Sequence, residues 1–345
     1  MSNLKLAVIG CGAIAKGIHL PVSALSSQVE VTVLVDKFLP RARQLADEYG
    51  VPAVADDYQD VIGKVNAAIV ALPHYLHAPV TIDLLRHGIH VLVEKPMALK
   101  ASDCDEMIGA ANDTGAVLAV GLVRRFREAS RFVRQIIKNG MLGNILTFDF
   151  REGNICSWSA ASALAFQKET GGGVLTGIGP HTLDLLLWWL GDYDSVKYYD
   201  DAMGGVEADC ELHLQLQCGA SGVVELSWTR DLRNSWIIRG ERGVLEVEKG
   251  FNPLIHLKIR NQDVIFTGRA LRGGTADKSL RDAFCRQLDD FAHAIRNHRQ
   301  PFVPGQEGKR VVKLIEACFA SRQSLEQPWR FPEKFGYGVL EGALP

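Results

Sequence analysis

A lysine that follows an apolar run is one of two side chains in this sequence that could assist a reaction. The run VLV, residues 91 to 93, predicts a buried strand, and Glu94, Lys95 and Pro96 follow it directly. Because proline cannot extend a strand ladder, the two charges should emerge where the strand ends. A lysine ammonium in a cleft can donate to a hydroxyl or carbonyl oxygen and stabilise negative charge developing there. A solvated lysine is the simpler interpretation, and spacing alone does not decide between the two.

A histidine at the start of a predicted helix is the second such side chain. The segment GGGVLTGIGPHTLD, residues 171 to 184, precedes the apolar stretch LLLWWLG. Pro180 predicts that His181 lies in the first helical turn, where the positive helix end should keep the ring neutral. Asp184 lies on the same helical face and could orient that ring. Such a couple can take a hydroxyl proton while a hydride leaves the carbon, although many histidines beside apolar helices are only core residues.

A glycine-rich turn near the start of the chain is typical of a dinucleotide site. KLAVIGCGAIAKG, residues 5 to 17, places Gly10, Gly12 and Ala15 in the pattern GxGxxA between a predicted strand and a predicted helix. Small residues there make the turn, let backbone N–H groups approach a pyrophosphate and allow close helix packing. The next strand, VTVLVD, ends at Asp36, whose carboxylate would bind a ribose 2′-hydroxyl and repel a 2′-phosphate. The pattern therefore favours NAD over NADP.

Further cofactor contacts are expected at neighbouring positions. Lys37 and Arg41 could serve a 2′-phosphate, which leaves NADP possible, although solvated basic side chains are common at a helix start. The segments ALPHYLH, residues 71 to 77, and EKP end two further strands, and ligands of an open parallel sheet lie beyond such ends. The expected cofactor residues are Gly10, Gly12, Ala13, Ile14, Asp36, Lys37, Arg41, Leu72, Pro73, His74, His77, Glu94 and Lys95.

The elements that must position these residues divide the chain into two predicted domains. Residues 1–122 alternate apolar strands with amphipathic helices, which predicts a doubly wound parallel sheet of the α/β class. Residues 123–345 begin with the arginine-rich segment around Arg125 and continue as alternating runs such as ELHLQLQ, which predict an open, mostly antiparallel sheet. Two amphipathic helices, over about 280–298 and 307–325, are predicted near the end.

Composition excludes several classes of partner. The 38 basic and 40 acidic residues leave a net charge of −2, which gives no electrostatic reason to expect nucleic acid. No apolar stretch is long enough for a membrane span, and the first ten residues do not resemble a secretory signal. Seven cysteines without CxxC pairs or nearby histidines indicate reduced thiols in a cytoplasmic protein and no metal site.

Taken in order, the motifs GCGAIA, ALPHYLH, VLVEKP, GLVRRF and GGGVLTGIGPHTLD resemble the Gfo/Idh/MocA family of oxidoreductases. The resemblance implies an N-terminal Rossmann domain and a C-terminal α/β domain whose open sheet commonly makes homodimers or homotetramers. It implies that Lys95 lies near nicotinamide and substrate, with a bond to Pro96 that is often cis, and that His181 is the acid/base. Substrates are then expected to be sugars, cyclitols or their acids. The expected substrate-binding residues are Lys95, Arg125, His181 and Asp184, and the expected catalytic residues are Lys95, His181 and Asp184.

One departure from the family pattern bears on the chemistry. Many dehydrogenases of the family carry aspartate four residues before the histidine, and this chain has Gly177 there. Asp184, or else Glu152, Lys168 or Glu169, would supply the missing polarity, or the reaction differs from simple alcohol oxidation. Two alternatives stay open: a redox-neutral enzyme with tightly bound NAD, and a nonenzymatic sugar-responsive regulator. A regulator has no need of a paired donor and base.

Overall fold

A six-stranded parallel sheet forms the first part of the chain. The computed structural model describes residues 3–155, 163–250, 253–259, 262–266 and 277–325. The strands of this sheet are β1 (Leu4–Ile9), β2 (Val29–Val35), β3 (Ala53–Ala55), β4 (Ala67–Val70), β5 (His90–Val93) and β6 (Leu118–Val120). Their order, β3-β2-β1-β4-β5-β6, is doubly wound, which confirms the predicted fold class. The short strand β3 was not predicted, because three residues show too little periodicity.

Helices connect these strands and cover the sheet. A π-helical segment, Ala15–His19, leads into α1 (Leu20–Leu25) directly after the glycine-rich turn. The next helices are α2 (Leu39–Tyr49), α3 (His74–Arg86) and α4 (Ala101–Thr114). Because every connection carries the chain back to the same edge, β1, β2, β4 and β5 all end beside one another there.

The second part of the chain is built on a nine-stranded sheet. Its strands are β7 (Ile145–Gly153), β8 (Tyr193–Asp200), β9 (Asp209–Leu216), β10 (Ser221–Ser227), β11 (Ser235–Gly240), β12 (Gly243–Glu248), β13 (Ile255–Ile259), β14 (Gln262–Phe266) and β15 (Arg322–Ser324). The order is β14-β13-β12-β11-β7-β10-β9-β8-β15, and only the β7–β10 and β8–β15 pairs are parallel. Alternation sets the buried face: in β9, Leu212 and Leu214 are buried and His213 between them is exposed. The predicted mostly antiparallel sheet is confirmed.

The helices of the second part pack on both sheets. They are α5 (Glu128–Lys138), α6 (Val174–Gly177), α7 (Gly179–Leu190), α8 (Leu280–Arg296) and α9 (Gly305–Ala320). The last two return to the first sheet, where α9 packs on α4 and β6, and the backbone N–H of Val120 donates to Val303 O at 3.0 Å. The predicted α9 ran five residues too far, since Arg322–Ser324 pairs with β8 as β15. The domain boundary at residue 122 stays a prediction, because α8 and α9 cross it.

Three further observations limit the class of protein. Within the described ranges, no helix is both long and apolar enough to cross a bilayer. The six cysteines in those ranges form no disulfide, and no cluster of three His, Cys, Asp or Glu side chains there is placed to hold a metal ion. Association of copies through the nine-stranded sheet stays a prediction that light scattering can check.

Candidate active site

The expected cofactor residues gather in one cleft at the carboxyl edge of the parallel sheet. The cleft has a volume of about 560 Å³, and Ala165 and Thr170 of the second part close its outer side. The expected residues that line it are Gly10, Gly12, Ala13, Ile14, Asp36, Lys37, Arg41, Leu72, Pro73 and His74. Its position beyond the ends of β1, β2 and β4 is the one at which doubly wound sheets bind dinucleotides.

Two glycines of the first turn have different physical roles. Gly10 has φ +97°, and a Cβ built on it would lie 2.3 Å from Ala71 O, so the close approach of β1 and β4 requires glycine. A Cβ on Gly12 would meet no protein atom within 4 Å and would project into the cleft. The cradle at Gly12 is thus open space of the kind that a pyrophosphate needs.

This difference predicts opposite outcomes for two matched substitutions. Gly10→Ala is expected to lower the free energy of unfolding by about 2–4 kcal/mol, because it combines a disfavoured φ with a clash. Gly12→Ala should leave the melting temperature unchanged and weaken NAD binding about tenfold, or about 1.4 kcal/mol. Thermal denaturation and calorimetric titration with NAD measure both effects. Unchanged NAD affinity of Gly12→Ala would contradict the assignment of the cleft.

Asp36 is held in place by three neighbours. Its carboxylate accepts hydrogen bonds from the backbone N–H groups of Cys11 and Phe38, each at 2.8 Å. Arg41 donates to both carboxylate oxygens through Nη2, at 2.7 and 2.8 Å. Although burial opposes the charge, the Arg41 and backbone hydrogen bonds hold the pKa of Asp36 below its usual value. An ionised acid therefore lines the cleft, with a cation paired to it.

Cofactor preference should follow from this pair. Asp36→Ala removes the ribose acceptor and frees Arg41, so we expect the ratio of NADP to NAD affinity to rise by roughly 10–100-fold, the value of one or two charge-assisted hydrogen bonds. Titration of each nucleotide measures the ratio. Asp47→Ala is the control, since Asp47 is exposed on α2 and does not line the cleft. A ratio that moved equally in both variants would show that bulk charge, not the Asp36 contact, sets the preference.

The strand end at Glu94 uses its carboxylate to fix a turn. Glu94 Oε1 lies 2.9 Å from His19 Nε2, and Oε2 accepts the backbone N–H of Lys95 at 3.1 Å. Burial opposes ionisation, but the His19 hydrogen bond and the nearby lysine charge lower the pKa of Glu94. Glu94 is 9% exposed and, like Lys95, is not among the residues that line the cleft, so the contact of these two residues with the cofactor stays a prediction, and the Glu94 carboxylate holds the turn that carries Lys95.

The two histidines of ALPHYLH have separate positions. His77 is 1% exposed, and its ring nitrogens lie 2.8 Å from Pro96 O and from Leu72 O. This corrects its assignment as a cofactor contact, because both polar atoms hold backbone beneath the cleft. His74 does line the cleft, and its Nδ1 donates to Gly171 O at 3.1 Å. Burial, with the charge of Lys95, lowers the pKa of His74 to about 3, so this ring is neutral.

Lys95 reaches from the first part of the chain to the second. Its Nζ donates to Gly177 O at 2.6 Å, and the peptide bond between Lys95 and Pro96 is cis. Gly177 ends α6, and His181 follows in the first turn of α7. Burial lowers the pKa of Lys95, while the charge of Glu94 raises it. Because an ammonium carries three N–H donors and one is used here, two have no acceptor among the described residues and are available to a ligand.

His181 is neutral, as the sequence predicts, but the cause differs. Burial lowers its pKa well below 6.5, and the charges of Arg124 and Lys95 lower it further. A free helix end contributes little because α6 runs into α7, so that the backbone N–H of His181 already donates to Ile178 O at 3.2 Å. The ring is half-buried, and its Nδ1 is buried without a hydrogen-bond partner among the described residues.

Asp184 does not orient His181, which corrects the prediction from helical spacing. Its fully buried carboxylate accepts three hydrogen bonds from Arg125, at 2.6 to 3.0 Å. Arg125 also donates to Glu307 Oε2 at 2.6 Å and lies 5.3 Å from the ring centre of Trp188. Both predicted site residues are therefore occupied in joining α7 to α9, and neither is placed to bind a substrate. They position the helix that carries His181.

A second arginine, which the sequence reasoning did not select, faces the site instead. Arg124 donates to both oxygens of Glu152, at 2.6 and 2.7 Å. Thr182 donates to the same carboxylate at 2.5 Å, and Lys249 Nζ lies 3.0 Å from it. Burial opposes the charge, but Arg124 lowers the pKa of Glu152 to about 2. Glu152, Lys168 and Glu169 were candidates to supply the acid that position 177 lacks. Glu152 is bound to Thr182, next to His181, whereas Lys168 and Glu169 are exposed.

An indole side chain occupies the space where an acid at position 177 would lie. A Cβ built on Gly177 would come within 2.5 Å of Trp228 Cζ2. Trp228 is 7% exposed and packs edge-to-face on Phe166, so it cannot easily withdraw. Lys95 is therefore paired with the backbone carbonyl of Gly177, a neutral acceptor, in place of a carboxylate.

Comparison with known proteins agrees with this arrangement. The fold and cleft define an oxidoreductase built on an NAD-binding Rossmann domain, since the family model described as "Oxidoreductase family, NAD-binding Rossmann fold" matches residues 4–122. The model of the "Oxidoreductase family, C-terminal alpha/beta domain" matches residues 134–328. The chain belongs to the Gfo/Idh/MocA oxidoreductase family.

Named relatives include enzymes of sugar chemistry. D-glucoside 3-dehydrogenase of Escherichia coli is 32% identical over 198 residues, which span 57% of this chain and 56% of that protein. The dTDP-3,4-didehydro-2,6-dideoxy-alpha-D-glucose 3-reductase of Streptomyces violaceoruber is 28% identical over 258 residues, 72% of this chain and 74% of its own. KijD10, a 3-ketoreductase from Actinomadura kijaniata solved with NADP and TDP-benzene, has a TM-score of 0.82 at 22% identity, covering 95% of this chain and 100% of its own. That likeness shows a shared fold.

Proposed function

We propose that this chain transfers a hydride between the nicotinamide of NAD, or NADP, and a hydroxyl-bearing or ketone carbon of a sugar-like or cyclitol substrate. The observation that carries the proposal is that Lys95, from the first part of the chain, is bound to the backbone just before the helical turn that carries His181. The ammonium of Lys95 is hydrogen-bonded to Gly177, four residues before the neutral imidazole of His181. A donor and a base side by side at the end of a dinucleotide cleft are what alcohol oxidation requires.

The residues present fit a dinucleotide. Gly12 leaves room for the pyrophosphate, and the ionised Asp36 faces the ribose side. The nicotinamide ring, when bound, supplies the hydride acceptor or donor. The neutral state of His74 suits this end of the cleft, since it adds no charge beside a ring that is cationic when oxidised.

His181 and Lys95 divide the work at the reacting oxygen. In the direction of oxidation, His181 accepts the hydroxyl proton, which its neutral imidazole can do at pH 7. Lys95 donates an N–H to the same oxygen and stabilises the charge that develops on it, while its bond to Gly177 O holds the ammonium in place. In the direction of reduction the roles reverse. The two relatives named above, a 3-dehydrogenase and a 3-reductase, support a secondary carbinol or ketone of a sugar.

The proposal is tested with the purified full chain, NAD or NADP, and a panel of sugars, cyclitols and their keto forms. A rise or fall in the absorbance of reduced nicotinamide would support hydride transfer. A chain that binds NAD tightly and converts a sugar while the nicotinamide absorbance returns to its starting value would be a redox-neutral enzyme. A chain that binds NAD and sugars but converts none would be a regulator, and the proposed function would be wrong.

A further inference from the structure

Four cationic side chains from four elements converge around His181. Lys95 follows β5, Arg124 lies in the turn after β6, Arg127 precedes α5 and Lys249 follows β12. After burial, the charges of Arg124, Lys95, Arg127 and Lys249 are the causes that lower the pKa of His181.

Glu152 is the carboxylate that pairs with two of these cations among the described residues, and it is already engaged. It accepts from both Nη atoms of Arg124, from Lys249 and from Thr182. The charges of two further carboxylates act on the group, Glu94 on Lys95 and Asp277 on Arg127. Both have other partners, since Glu94 is bound by His19 and Asp277 by Arg286, so positive charge remains in excess. The internal segments outside the described ranges, residues 156–162, 251–252, 260–261 and 267–276, contain neither aspartate nor glutamate.

Two buried polar atoms in the cluster lack a partner in the described part of the chain. They are Arg127 Nε and His181 Nδ1. Arg127 donates through Nη1 to Gly250 O at 2.8 Å, a neutral acceptor beside Lys249, and the charges of Glu152 and Asp277 also act on it. Burial, with the charge of Arg124, lowers the pKa of Arg127 to about 10, as expected where cations crowd together. Buried donors without acceptors are costly, so a ligand group that supplies an acceptor would bind there favourably.

We infer that the substrate carries an anionic group, a carboxylate or a phosphate, which binds to Arg127 and Lys249 beside His181. The inference rests on the proposed function and narrows its substrate class to acidic sugars or cyclitols. Lys249 is 29% exposed, so its ammonium can exchange part of its contact with Glu152 for a ligand. Arginine and lysine together suit a planar carboxylate or a phosphate oxygen.

A bound anion would also change the proton chemistry at His181. The groups that face the ring are Lys95, Arg124, Arg127 and Lys249, with Glu152 as the opposing charge. An added anion offsets the cations and raises the pKa of the imidazole, which makes it a better base near neutral pH. On the acidic side of the pH profile, kcat reports the apparent pKa of the enzyme–substrate complex, and kcat/KM reports that of the free enzyme. The apparent pKa from kcat should therefore be the higher of the two.

The test compares neutral and anionic members of matched pairs. Methyl glucosides, galactosides and mannosides are assayed against the corresponding uronates and 6-phosphates, and inositol against inositol monophosphate, with NAD present. We expect the anionic member to have a KM at least about tenfold lower, and Lys249→Met to raise that KM roughly 10–100-fold, as for loss of one hydrogen bond to a charged group. The KM of the neutral member should rise far less, because a neutral substrate offers no anion to Lys249. Lys197→Met, an exposed lysine of β8, is the control that keeps both values unchanged.

The uronate and phosphate arms distinguish the two sources of the anion. Equal KM values for neutral and anionic members would overturn the inference, and so would an equal rise of both KM values in Lys249→Met. Hydride transfer to neutral sugars in the same assays would still uphold the proposed function. If no compound is turned over, calorimetric binding of uronate against glycoside in the presence of NAD decides the inference. Lys249-dependent binding of acids without any formation of reduced nicotinamide would support the inference and contradict the function.

Discussion

Replacing His181 with asparagine is expected to lower kcat by roughly 10²–10⁴-fold, the range for loss of a general base. The amide is smaller and polar, and it cannot accept the hydroxyl proton. Because Nδ1 of His181 has no hydrogen-bond partner in the described part of the chain, its loss breaks no bond at that atom, and the melting temperature should hold. Steady-state rates, NAD titration and thermal denaturation measure the three quantities.

The control for this substitution is His87→Asn, at an exposed histidine beyond the end of α3, which should keep the parent rate. Parallel loss of rate and stability in His181→Asn would instead assign the histidine to the core. A variant with full activity would place the proton acceptor elsewhere, and the proposed mechanism would fail.

Replacing Lys95 with methionine is expected to lower kcat by roughly 10²–10³-fold, as for removal of one donor to a developing oxyanion. Methionine keeps most of the aliphatic length, so the packing along the stem is preserved. NAD affinity should change little, because Lys95 does not line the cleft that holds Gly12 and Asp36.

Lys100→Met is the matched control for this second substitution. Lys100 is exposed and precedes α4 in the same connection, so it tests loss of a lysine charge from that loop without loss of the contact to Gly177. Parent-like turnover by Lys95→Met would remove the lysine from the mechanism and leave His181 to act alone. A large rise in KM with unchanged kcat would assign Lys95 to ground-state binding.

The nucleotide half of the site was predictable because its chemistry is local in sequence. A strand, a GxGxxA turn and a helix are continuous in the chain, and Asp36 closes the very next strand. The parallel topology then brings all strand ends to one edge, so Pro73 and Lys95 could be placed without knowing any side-chain contact.

The substrate half was predicted less well because helical spacing cannot say which face of a buried helix meets the site. α7 is buried on nearly every side. Helical spacing places Asp184 and His181 on one face, but their side chains contact different neighbours. The choice of Arg125 over Arg124 fails for the same reason. Adjacent residues in a tight turn point to different neighbours, and only the packed structure shows that one reaches Asp184 and the other Glu152.

Lys249 and Trp228 depend on pairing between distant strands. Lys249 follows β12, which lies next to β11, which lies next to β7 and Glu152, and no local pattern encodes that order. The absence of an acid at position 177 was visible in the sequence. The sequence could not show that the indole of Trp228, just after β10, fills the space beside Gly177.

The return of α9 to the first sheet couples a distant stretch of the chain to the loop that carries Lys95. A Cβ on Gly308 would lie 2.8 Å from the sulfur of Met97, so α9 packs directly on the turn that follows Lys95 and Pro96. A close-packed contact of this kind transmits strain, so a larger side chain at position 308 would displace the reactive loop without touching the nucleotide cleft.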